Sequence, residues 1–366
     1  MRLYKQNTVY EEGLKRIRYL FDEFDEIVVS VSGGKDSDVV FNLSLQVAKE
    51  KNRLPLNVMF IDQEAELQST IDMITTIMEM KEVKPYWYQF PFKLFNATSP
   101  DEPWIQCWDS EKEDVWMRKR VPYSFKENIY GTDRFKKLFT NIISTDFPPK
   151  TANIGGVRAE ESPARLLAMT GSRTYKGETW GKFLDRENDK YTFYPIYDWS
   201  YTDVWKAIHD NGWEYNKIYD KQFSWGVPIN DMRVSALCHE TSVSNLRYLQ
   251  ECELDTWQNL TRRLKGIDTE GKFGLDLKCP VELPFMFNTW HEYRNYLADK
   301  MLPNNDMKVK IIKKFKNFDT QFGHVKRYYR VCITTIIKCD WEGTLLDNYR
   351  VSQNLMRKEV TEDMYV

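Results

Sequence analysis

The sequence predicts an α/β protein, in which a parallel, twisted sheet is flanked by helices and followed by a mostly helical C-terminal part. Two observations predict this fold class. Short apolar runs rich in β-branched residues alternate with longer segments of helical periodicity, which is typical of parallel sheets covered on both faces. The first run also ends in two adjacent glycines, so that a strand, a glycine turn and a helix follow one another.

The composition is that of a folded chain without a membrane segment. Its 366 residues include 52 Lys+Arg and 54 Asp+Glu, a formal charge of −2, which gives no general attraction to nucleic acid. With 42% hydrophobic and 29% charged residues, a mostly disordered chain is excluded. No apolar run approaches the 18 residues that a transmembrane helix needs. The first residues lack the apolar core of a signal peptide, so we expect a cytoplasmic protein.

The regular elements come in the order that a parallel sheet requires. The first helix is expected over residues 11–23, where Leu14 and Ile17 recur at helical spacing. Alternating strands and helices are then expected, with strands at 27–31, 57–61 and 84–90 and helices at 38–50 and 66–82.

Residues 91–150 mix Trp, Tyr, Lys, Pro and Asp without clear periodicity, and we interpret them as an insertion or lid over the ligand edge of the sheet. Regularity returns at 151–169 as a strand, a turn and a helix. A further helix begins at Thr202 or Asp203 and stops at Gly212. Two domains are therefore expected, 1–223 and 224–366, and the clearest helix of the second covers 283–301.

The string SGGKDS, residues 32–37, has the components of an anion-binding turn. Gly33 and Gly34 let the backbone approach a ligand closely, and the following helix presents unpaired N–H groups and its positive dipole end. Ser32 and Ser37 add hydroxyl donors, and Lys35 adds a positive charge. A plain Gly-Gly turn capped by Asp36 or Ser37 is the alternative. The complete string directly after a β-branched strand favours the anion site.

This string is not the Walker A motif, GxxxxGK[ST]. It is similar to the pyrophosphate loop of the N-type ATP pyrophosphatases, the adenine nucleotide alpha-hydrolase-like superfamily. Within it the chain most resembles the branch of phosphoadenosine-phosphosulfate reductases and ATP-sulfurylase small subunits. Three more segments between about residues 26 and 220 carry the resemblance: NVMFIDQEAE, GGVRAEESPAR and YPIYDWSYTDVWKAI. The segments CWDSEKEDVWMRKRVP and INDMRVSALCHE resemble a narrower subfamily, the immunoglobulin-binding-regulator-A-type proteins.

The resemblance implies a Rossmann-like fold and a nucleotide site. It implies that ATP or a phosphoadenylate, such as phosphoadenosine phosphosulfate, places its phosphates on the loop formed by Ser32, Gly33, Gly34, Lys35, Asp36 and Ser37. The ends of the first two strands would then hold the adenine, through Val29, Ser30 and Ile61. Asp36 and Asp62 are the candidate ligands of Mg²⁺, which prefers carboxylate oxygens and substrate phosphates.

A second glycine pair stands before two arginines. Arg158 and Arg165 are seven residues apart, so both would face one site if a helix began near Arg158. Their guanidinium groups would then stabilise charge on a leaving pyrophosphate or on a sulfate. A helix start with surface ion pairs is the alternative. The expected catalytic residues are thus Lys35, Asp62, Arg158 and Arg165. Gly155, Gly156 and Glu161 are expected to contribute to binding the nucleotide.

The cysteines argue against the chemistry of the reductases in this branch. Those enzymes attack the sulfonucleotide with a cysteine in a C-terminal Glu-Cys-Gly-Leu-His motif, and this chain ends in TEDMYV. Cys252 is the alternative nucleophile, although a buried helix cysteine is the favoured interpretation. An iron–sulfur cluster on Cys238, Cys252 and Cys279 is disfavoured, because close cluster spacings are missing. We expect reduced thiols at all six positions: Cys107, Cys238, Cys252, Cys279, Cys332 and Cys339.

Four functions remain open. The favoured one is an ATP-using enzyme that releases pyrophosphate and adenylates an unknown acceptor, with sulfur transfer as one purpose. The others are a sulfonucleotide reductase with an atypical cysteine, a nucleotide-binding regulator without turnover, and an enzyme of nucleic-acid sulfur modification. The last two would use the basic stretch 308–330, which holds eight basic residues and one acid, to meet a protein or nucleic acid. A solvated helix face is the simpler interpretation of that stretch.

Overall fold

The computed structural model describes residues 6–99, 102–170, 174–239, 242, 245–267, 279–302 and 306–362. The chain divides into two compact units. The first comprises Met1–Lys93 and Cys107–Val234, and the second comprises Leu94–Gln106 and Ser235–Val366. The division therefore falls at Val234 rather than at 223, and part of the expected insertion belongs to the second unit.

The first unit is built on one six-stranded sheet, whose strand order is β3–β2–β1–β6–β8–β7. A separate pair, β4 and β5, forms a two-stranded sheet. The strands are β1 (Glu26–Ser30), β2 (Leu56–Ile61), β3 (Val83–Tyr88), β4 (Phe92–Phe95), β5 (Trp104–Cys107), β6 (Thr151–Gly155), β7 (Gly181–Asp185) and β8 (Lys190–Phe193).

Five strands of the sheet are parallel, as predicted, but the sheet is mixed. Strand β7 runs antiparallel to β8 at one edge, with Gly181 opposite Phe193. The sequence did not predict this hairpin, because β7 carries Lys182 and Asp185 rather than an apolar run. An edge strand needs only one buried face, so its pattern is weaker than that of a central parallel strand.

Seven helices are described in the first unit. The first three follow the prediction within a few residues, whereas α4 was not predicted and lies inside the stretch interpreted as an insertion. Helix α6 begins at Tyr201, one residue before the expected start, because Ser200 caps it, and it ends at Gly212 in the left-handed conformation. The helices are α1 (Val9–Glu23), α2 (Lys35–Glu50), α3 (Gln68–Met78), α4 (Phe135–Asp146), α5 (Pro163–Thr170), α6 (Tyr201–Asn211) and α7 (Ile218–Ser224).

The core of the first unit lies on both faces of the sheet. Val28, Val58 and Ile154, from three neighbouring strands, have no exposed surface. Helix α1 contributes the apolar face that its periodicity predicted, since Ile17 and Leu20 are also fully buried. Burial on both faces explains why these strands read as continuous apolar runs.

The second unit is mainly helical, as predicted. The predicted helix at 283–301 was too long: α10 begins only at Trp290, where the Thr289 side chain accepts the N–H of Glu292. The preceding residues, which include Pro284, form turns. The helices are α8 (Leu246–Cys252), α9 (Leu254–Arg263), α10 (Trp290–Met301), α11 (Asp306–Phe322), α12 (Lys326–Ile337) and α13 (Thr344–Glu362).

The basic stretch falls on α11 and α12. Helix α11 buries Met307, Ile311, Phe315, Phe318 and Phe322, so its lysines point away from the core of the unit. Two of them are engaged: the Lys314 Nζ lies 2.7 Å from an Asp347 oxygen, and the Lys308 Nζ lies 3.3 Å from an Asp299 oxygen. The stretch therefore forms a solvated helix face, and a nucleic-acid partner stays a prediction. None of the helices described is long and apolar enough to cross a membrane.

The strand order defines where a ligand would sit. From β1 the chain proceeds outward through β2 and β3, whereas β6 pairs with β1 on its other side. The connections after β1 and β6 therefore leave the sheet in opposite directions. Ligands of open α/β sheets bind at such a switch point, outside the carboxyl ends of the strands.

Lys190 of β8 binds the C-terminal end of α4. Its buried Nζ donates to the carbonyl oxygens of Ile143 (3.1 Å), Ser144 (2.7 Å) and Phe147 (2.6 Å) at the end of that helix. Lys190→Met leaves these carbonyls without their donor, so we expect a loss of about 2–3 kcal/mol in unfolding free energy. Urea denaturation measures it, with exposed Lys126→Met as the control. Equal losses in both variants would contradict this role.

Candidate functional site

Residues 32–37 form a tight loop between β1 and α2. Gly33 has a φ of +64°, and a Cβ there would lie 2.8 Å from the Thr70 Cγ2. The Ser37 Oγ donates to the Gly34 carbonyl (2.8 Å) and accepts the Ser32 N–H (3.1 Å). Gly34 is the N-cap of α2, and as a glycine it provides no side chain of its own to cap the helix. The positive end of a 16-residue helix is therefore open to an anion.

The turn after β6 packs directly against this loop. A Cβ on Gly156 would lie 2.6 Å from the carbonyl carbon and oxygen of Asp36 and from the Ser37 nitrogen. Any side chain at this position would displace backbone, so only glycine fits. Gly155 is the residue of β6 that pairs with Ser30 at the end of β1. The two glycine pairs found in the sequence thus meet at the switch point.

Two residues that sequence reasoning missed hold the loop from a third side. The Asn216 Nδ2 donates to the Gly33 carbonyl and to the Thr70 Oγ1, both at 3.0 Å. The Tyr219 hydroxyl accepts the Lys35 N–H at 3.3 Å, and burial raises the pKa of that hydroxyl. Asn216 precedes α7, and Tyr219 lies in the first turn of that helix. This segment carries no recognisable motif, so only the structure identifies the two residues.

Asp36 joins the two cations nearest the loop. One carboxylate oxygen lies 2.8 Å from the Lys35 Nζ, and the other accepts a hydrogen bond from the Arg158 Nε. The Lys35 ammonium also lies over two aromatic rings, 5.6 Å from that of Tyr201 and 5.5 Å from that of Tyr219. Since the side chains of Lys35 and Arg158 are only 10% and 5% exposed, both are held rigidly.

Arg158 and Arg165 do not share one α-helix, contrary to the prediction. A short 3₁₀ helix, Ala159–Glu161, follows Arg158, and α5 begins only at Pro163. Glu161 nevertheless links them, because one of its oxygens accepts the Arg158 N–H at 2.9 Å and the other pairs with the Arg165 guanidinium. Arg165 keeps 45% of its side chain exposed, so it can reach a ligand.

A third arginine, also missed from the sequence, lies beside these two. Burial lowers the pKa of the Arg165 guanidinium. The negative charge of Asp36 raises that pKa, whereas the positive charge of Arg233 lowers it further. Arg233 follows the short helix Ile229–Asp231, and its carbonyl accepts a hydrogen bond from the Gln222 side chain at 2.9 Å. The next residue, Val234, would touch a Cβ at Gly34 at 3.0 Å. Guanidinium groups that repel one another beside an open helix end suit a multiply charged anion.

Asp62 does not have the role predicted for it. The carboxylate is fully buried, and four donors occupy it: the Glu64 N–H (2.9 Å), the Trp87 Nε1 (3.0 Å), the Gln89 Nε2 (2.9 Å) and the Arg118 guanidinium. No lone pair is left for a metal or a substrate. Asp62 instead ties the segment that contains Arg118 to the ends of β2 and β3.

Mg²⁺ held by protein carboxylates does not fit this arrangement. Both oxygens of Asp36 are engaged by cations, and Asp62 is saturated. Over the described ranges, no group of three or more His, Cys, Asp or Glu side chains is placed to hold a metal.

The predicted adenine contacts remain predictions. Val29 is fully buried and pairs with strands on both sides. The Ser30 Oγ donates to the Asn153 Oδ1 at 2.6 Å, and Ile61 is only 7% exposed. All six cysteines are thiols, as predicted. Burial raises the pKa of Cys332 to about 12 and raises that of Cys279 as well.

The sequence of this chain is similar to those of known proteins. Residues 26–225 match the model of the phosphoadenosine phosphosulfate reductase domain. The chain is 26% identical over 278 residues to the uncharacterized protein YbdN of Escherichia coli (strain K12), covering 72% of this chain and 67% of that protein.

Two solved structures are similar to this chain at low identity and with low TM-scores. The phosphoadenylyl-sulfate reductase from Candida auris is 11% identical with a TM-score of 0.33, over 60% of this chain and 93% of that one. The FMN adenylyltransferase from Candida glabrata is 13% identical with a TM-score of 0.37, over 60% and 63%.

Glu66 makes the stability of the folded chain depend on pH. It is 3% exposed, and burial together with the nearby charge of Asp62 raises its pKa to about 8, against an opposing effect of Arg118. The folded state therefore holds a proton that the unfolded chain releases near pH 4.5. The stability from this proton is complete below that pH and is lost as pH rises toward 8.

Glu66→Gln should remove this dependence. Between pH 5 and 8 the unfolding free energy of the native chain should fall relative to that of the variant, by up to about 1.4 kcal/mol per pH unit. Urea denaturation at several pH values measures the difference, and exposed Glu111→Gln is the control. A constant difference across this range would show that Glu66 does not hold the proton.

Proposed function

The chain belongs to the phosphoadenosine phosphosulfate reductase domain family, and we propose that it binds an adenine nucleotide on residues 32–37 and transfers the adenylyl group to an acceptor. One observation carries this proposal. Gly34 provides no capping side chain at the start of α2, the loop packs on Gly156, and Arg158 and Arg165 lie beside the loop residues Lys35 and Asp36. An uncapped helix end inside a group of cations suits phosphates far better than a neutral ligand.

The cations around the loop suit an adenylyl transfer that proceeds as follows. Mg-ATP enters as the substrate complex, with its β- and γ-phosphates on the loop. An acceptor oxygen attacks the α-phosphorus; the bond from that phosphorus to the bridging oxygen breaks, and pyrophosphate leaves with the electron pair. Negative charge accumulates on the leaving group, and the guanidinium groups of Arg158 and Arg165 stabilise it. No covalent enzyme intermediate is needed, so positioning and charge provide the catalysis.

Asp36 acts as a positioning residue in this scheme. By pairing with both Lys35 and Arg158 it fixes two long side chains that would otherwise lose conformational freedom when a nucleotide binds. Glu161 does the same for Arg165. A preformed set of cations costs little reorganisation during the reaction.

The thiols do not favour a sulfonucleotide reductase. A nucleophilic cysteine needs a lowered pKa and access to solvent. Cys252 is buried on α8, and burial raises rather than lowers the pKa of Cys332 and Cys279. Adenylyl transfer also serves sulfur insertion into small molecules or nucleic acid, because an adenylylated oxygen is a good leaving group. A binding protein without turnover would need the same loop but would release no pyrophosphate.

Product analysis tests the proposal. The full chain is incubated with ATP labelled at the α-phosphate and with a small-molecule extract as the source of acceptor. We expect AMP or an AMP adduct together with pyrophosphate, and no ADP. Lys35→Ala should lower the yield about tenfold or more, because it removes a charge-assisted contact to the phosphates.

Exposed Lys126→Ala is the matched control, and it should leave the yield unchanged. Formation of ADP and phosphate would refute cleavage between the α- and β-phosphates. Equal ATP turnover in the Lys35→Ala and native proteins would refute the loop as its site. Release of sulfite from phosphoadenosine phosphosulfate in the presence of a thiol, without any turnover of ATP, would support the reductase instead.

A further inference from the structure

A second group of cations lies outside the nucleotide loop, at the carboxyl ends of β2 and β3. It is organised around Trp108, which has no exposed surface. The Trp108 Nε1 donates to the Asp62 carbonyl at 2.8 Å, and its backbone N–H donates to a Glu64 oxygen at 2.6 Å. Trp108 has a φ of +53°, a conformation that bulky residues rarely adopt. Such strain is kept only where surrounding contacts determine it, often at functional sites.

Arg118 and Arg120 lie near the Trp108 ring, with guanidinium carbons 5.4 and 5.7 Å from its centroid. Their partners differ. Arg118 pairs with the Asp62 carboxylate and donates to the Glu64 carbonyl at 2.7 Å. Among the described residues, Arg120 donates only to the Trp108 carbonyl, at 2.9 Å, and its guanidinium carbon lies 4.5 Å from the centroid of the Trp116 ring. Arg118 is therefore neutralised, and Arg120 is not.

The guanidinium of Arg120 has unused donors. Its Nε is buried and has no acceptor, and the same is true of the Nε of Arg118. In the part of the chain that the structure describes, no carboxylate lies within ion-pair distance of Arg120; Glu113 and Glu64 act on it only at longer range, and burial lowers its pKa. A buried donor without an acceptor costs about 1–3 kcal/mol. Such a donor in a native protein usually bonds to a water, an ion or a ligand.

The carboxylates beside the loop bear on the ionisation state of the acceptor. Asp36 pairs with Lys35 and Arg158, and Glu161 pairs with Arg165. Asp62 is saturated by its four donors. These three carboxylates are therefore engaged, and none of them is free to take a proton from an attacking hydroxyl. An acceptor that arrives ionised needs no such base.

We propose that Arg120, stacked on Trp116, binds the acceptor through an oxyanion, a carboxylate or a phosphoryl group, which attacks the α-phosphate of the nucleotide. This inference rests on the proposed adenylyl transfer and specifies its acceptor. The attacking oxyanion forms the new bond to phosphorus, pyrophosphate leaves with the electron pair, and no proton is transferred. The product is a mixed anhydride, which is an activated acyl or phosphoryl group.

The position of this subsite suits the reaction. Strand β2 is the immediate neighbour of β1, and adjacent strands are about 5 Å apart. The connection from Asp62 leads directly to Thr70, whose side chain touches Gly33 of the loop. Arg120 is partly exposed, so an acceptor can reach it from solvent.

Tryptophan fluorescence tests the subsite, because Trp116 reports on a bound anion. The full chain is titrated with inorganic phosphate and with benzoate, which represents a carboxylate on a flat ring. We expect saturable quenching with at least one of the two in the native protein. Arg120→Gln should weaken that binding about tenfold or more, because it removes a charge-assisted contact. Exposed Lys119→Gln makes the same charge change next to it and should have no effect.

Lys35→Ala separates this subsite from the nucleotide loop. Binding that survives Lys35→Ala and is weakened in Arg120→Gln supports the proposal, and the preferred probe identifies the class of oxyanion. Binding lost in Lys35→Ala but unchanged in Arg120→Gln belongs to the loop and overturns it, as does the absence of quenching by both probes. If Arg120→Gln does not fold, Arg120→Lys replaces it, because it keeps the charge but loses the planar fork. Since no ATP is present, failure here is distinct from failure of the proposed adenylyl transfer.

Discussion

The close packing of Gly156 on the backbone of Asp36 and Ser37 is the constraint on which the site depends. It joins the two turns that leave the sheet at the switch point between β1 and β6. Because there is no room for a side chain, the backbone of the second turn lies directly against the first turn of α2. The second turn therefore supports the shape of the loop, and the segment that follows Gly156 places Arg158 beside the helix end.

Electrostatics then decide what the loop can bind. Asp36 neutralises part of the charge of Lys35 and Arg158, which allows two cations to be nearly buried in the absence of a nucleotide. Arg165 pairs with Glu161, but Arg233 still repels it. A ligand with several negative charges relieves this repulsion, whereas a neutral ligand does not. The same reasoning applies to Arg120, which has no carboxylate within ion-pair distance among the residues that the structure describes.

The sequence predicted the parts of the site that are local in the chain. Ser32–Ser37 and Gly155-Gly156 each consist of neighbouring residues of distinctive type, and each follows an apolar strand, so their positions could be predicted. Asn216 and Tyr219 could not be, because they reach the loop through a distant helix of ordinary composition. Asp62 was assigned to Mg²⁺ because an acid after a strand suggests a ligand. Its actual partners come from β3 and from residue 118, which no local pattern reveals. The same limit applies to β7, whose edge position weakens its apolar pattern.

Isothermal titration with Mg-ATP, comparing the native chain with Gly156→Ala, tests the central claim most directly. A methyl group at this position must displace the backbone of the phosphate loop, whereas Gly131→Ala, where a methyl meets open space, leaves the loop intact. We expect saturable binding by the native and Gly131→Ala proteins, and no binding by a folded Gly156→Ala protein. Equal affinity in all three would show that the nucleotide does not bind at the junction of the two glycine turns.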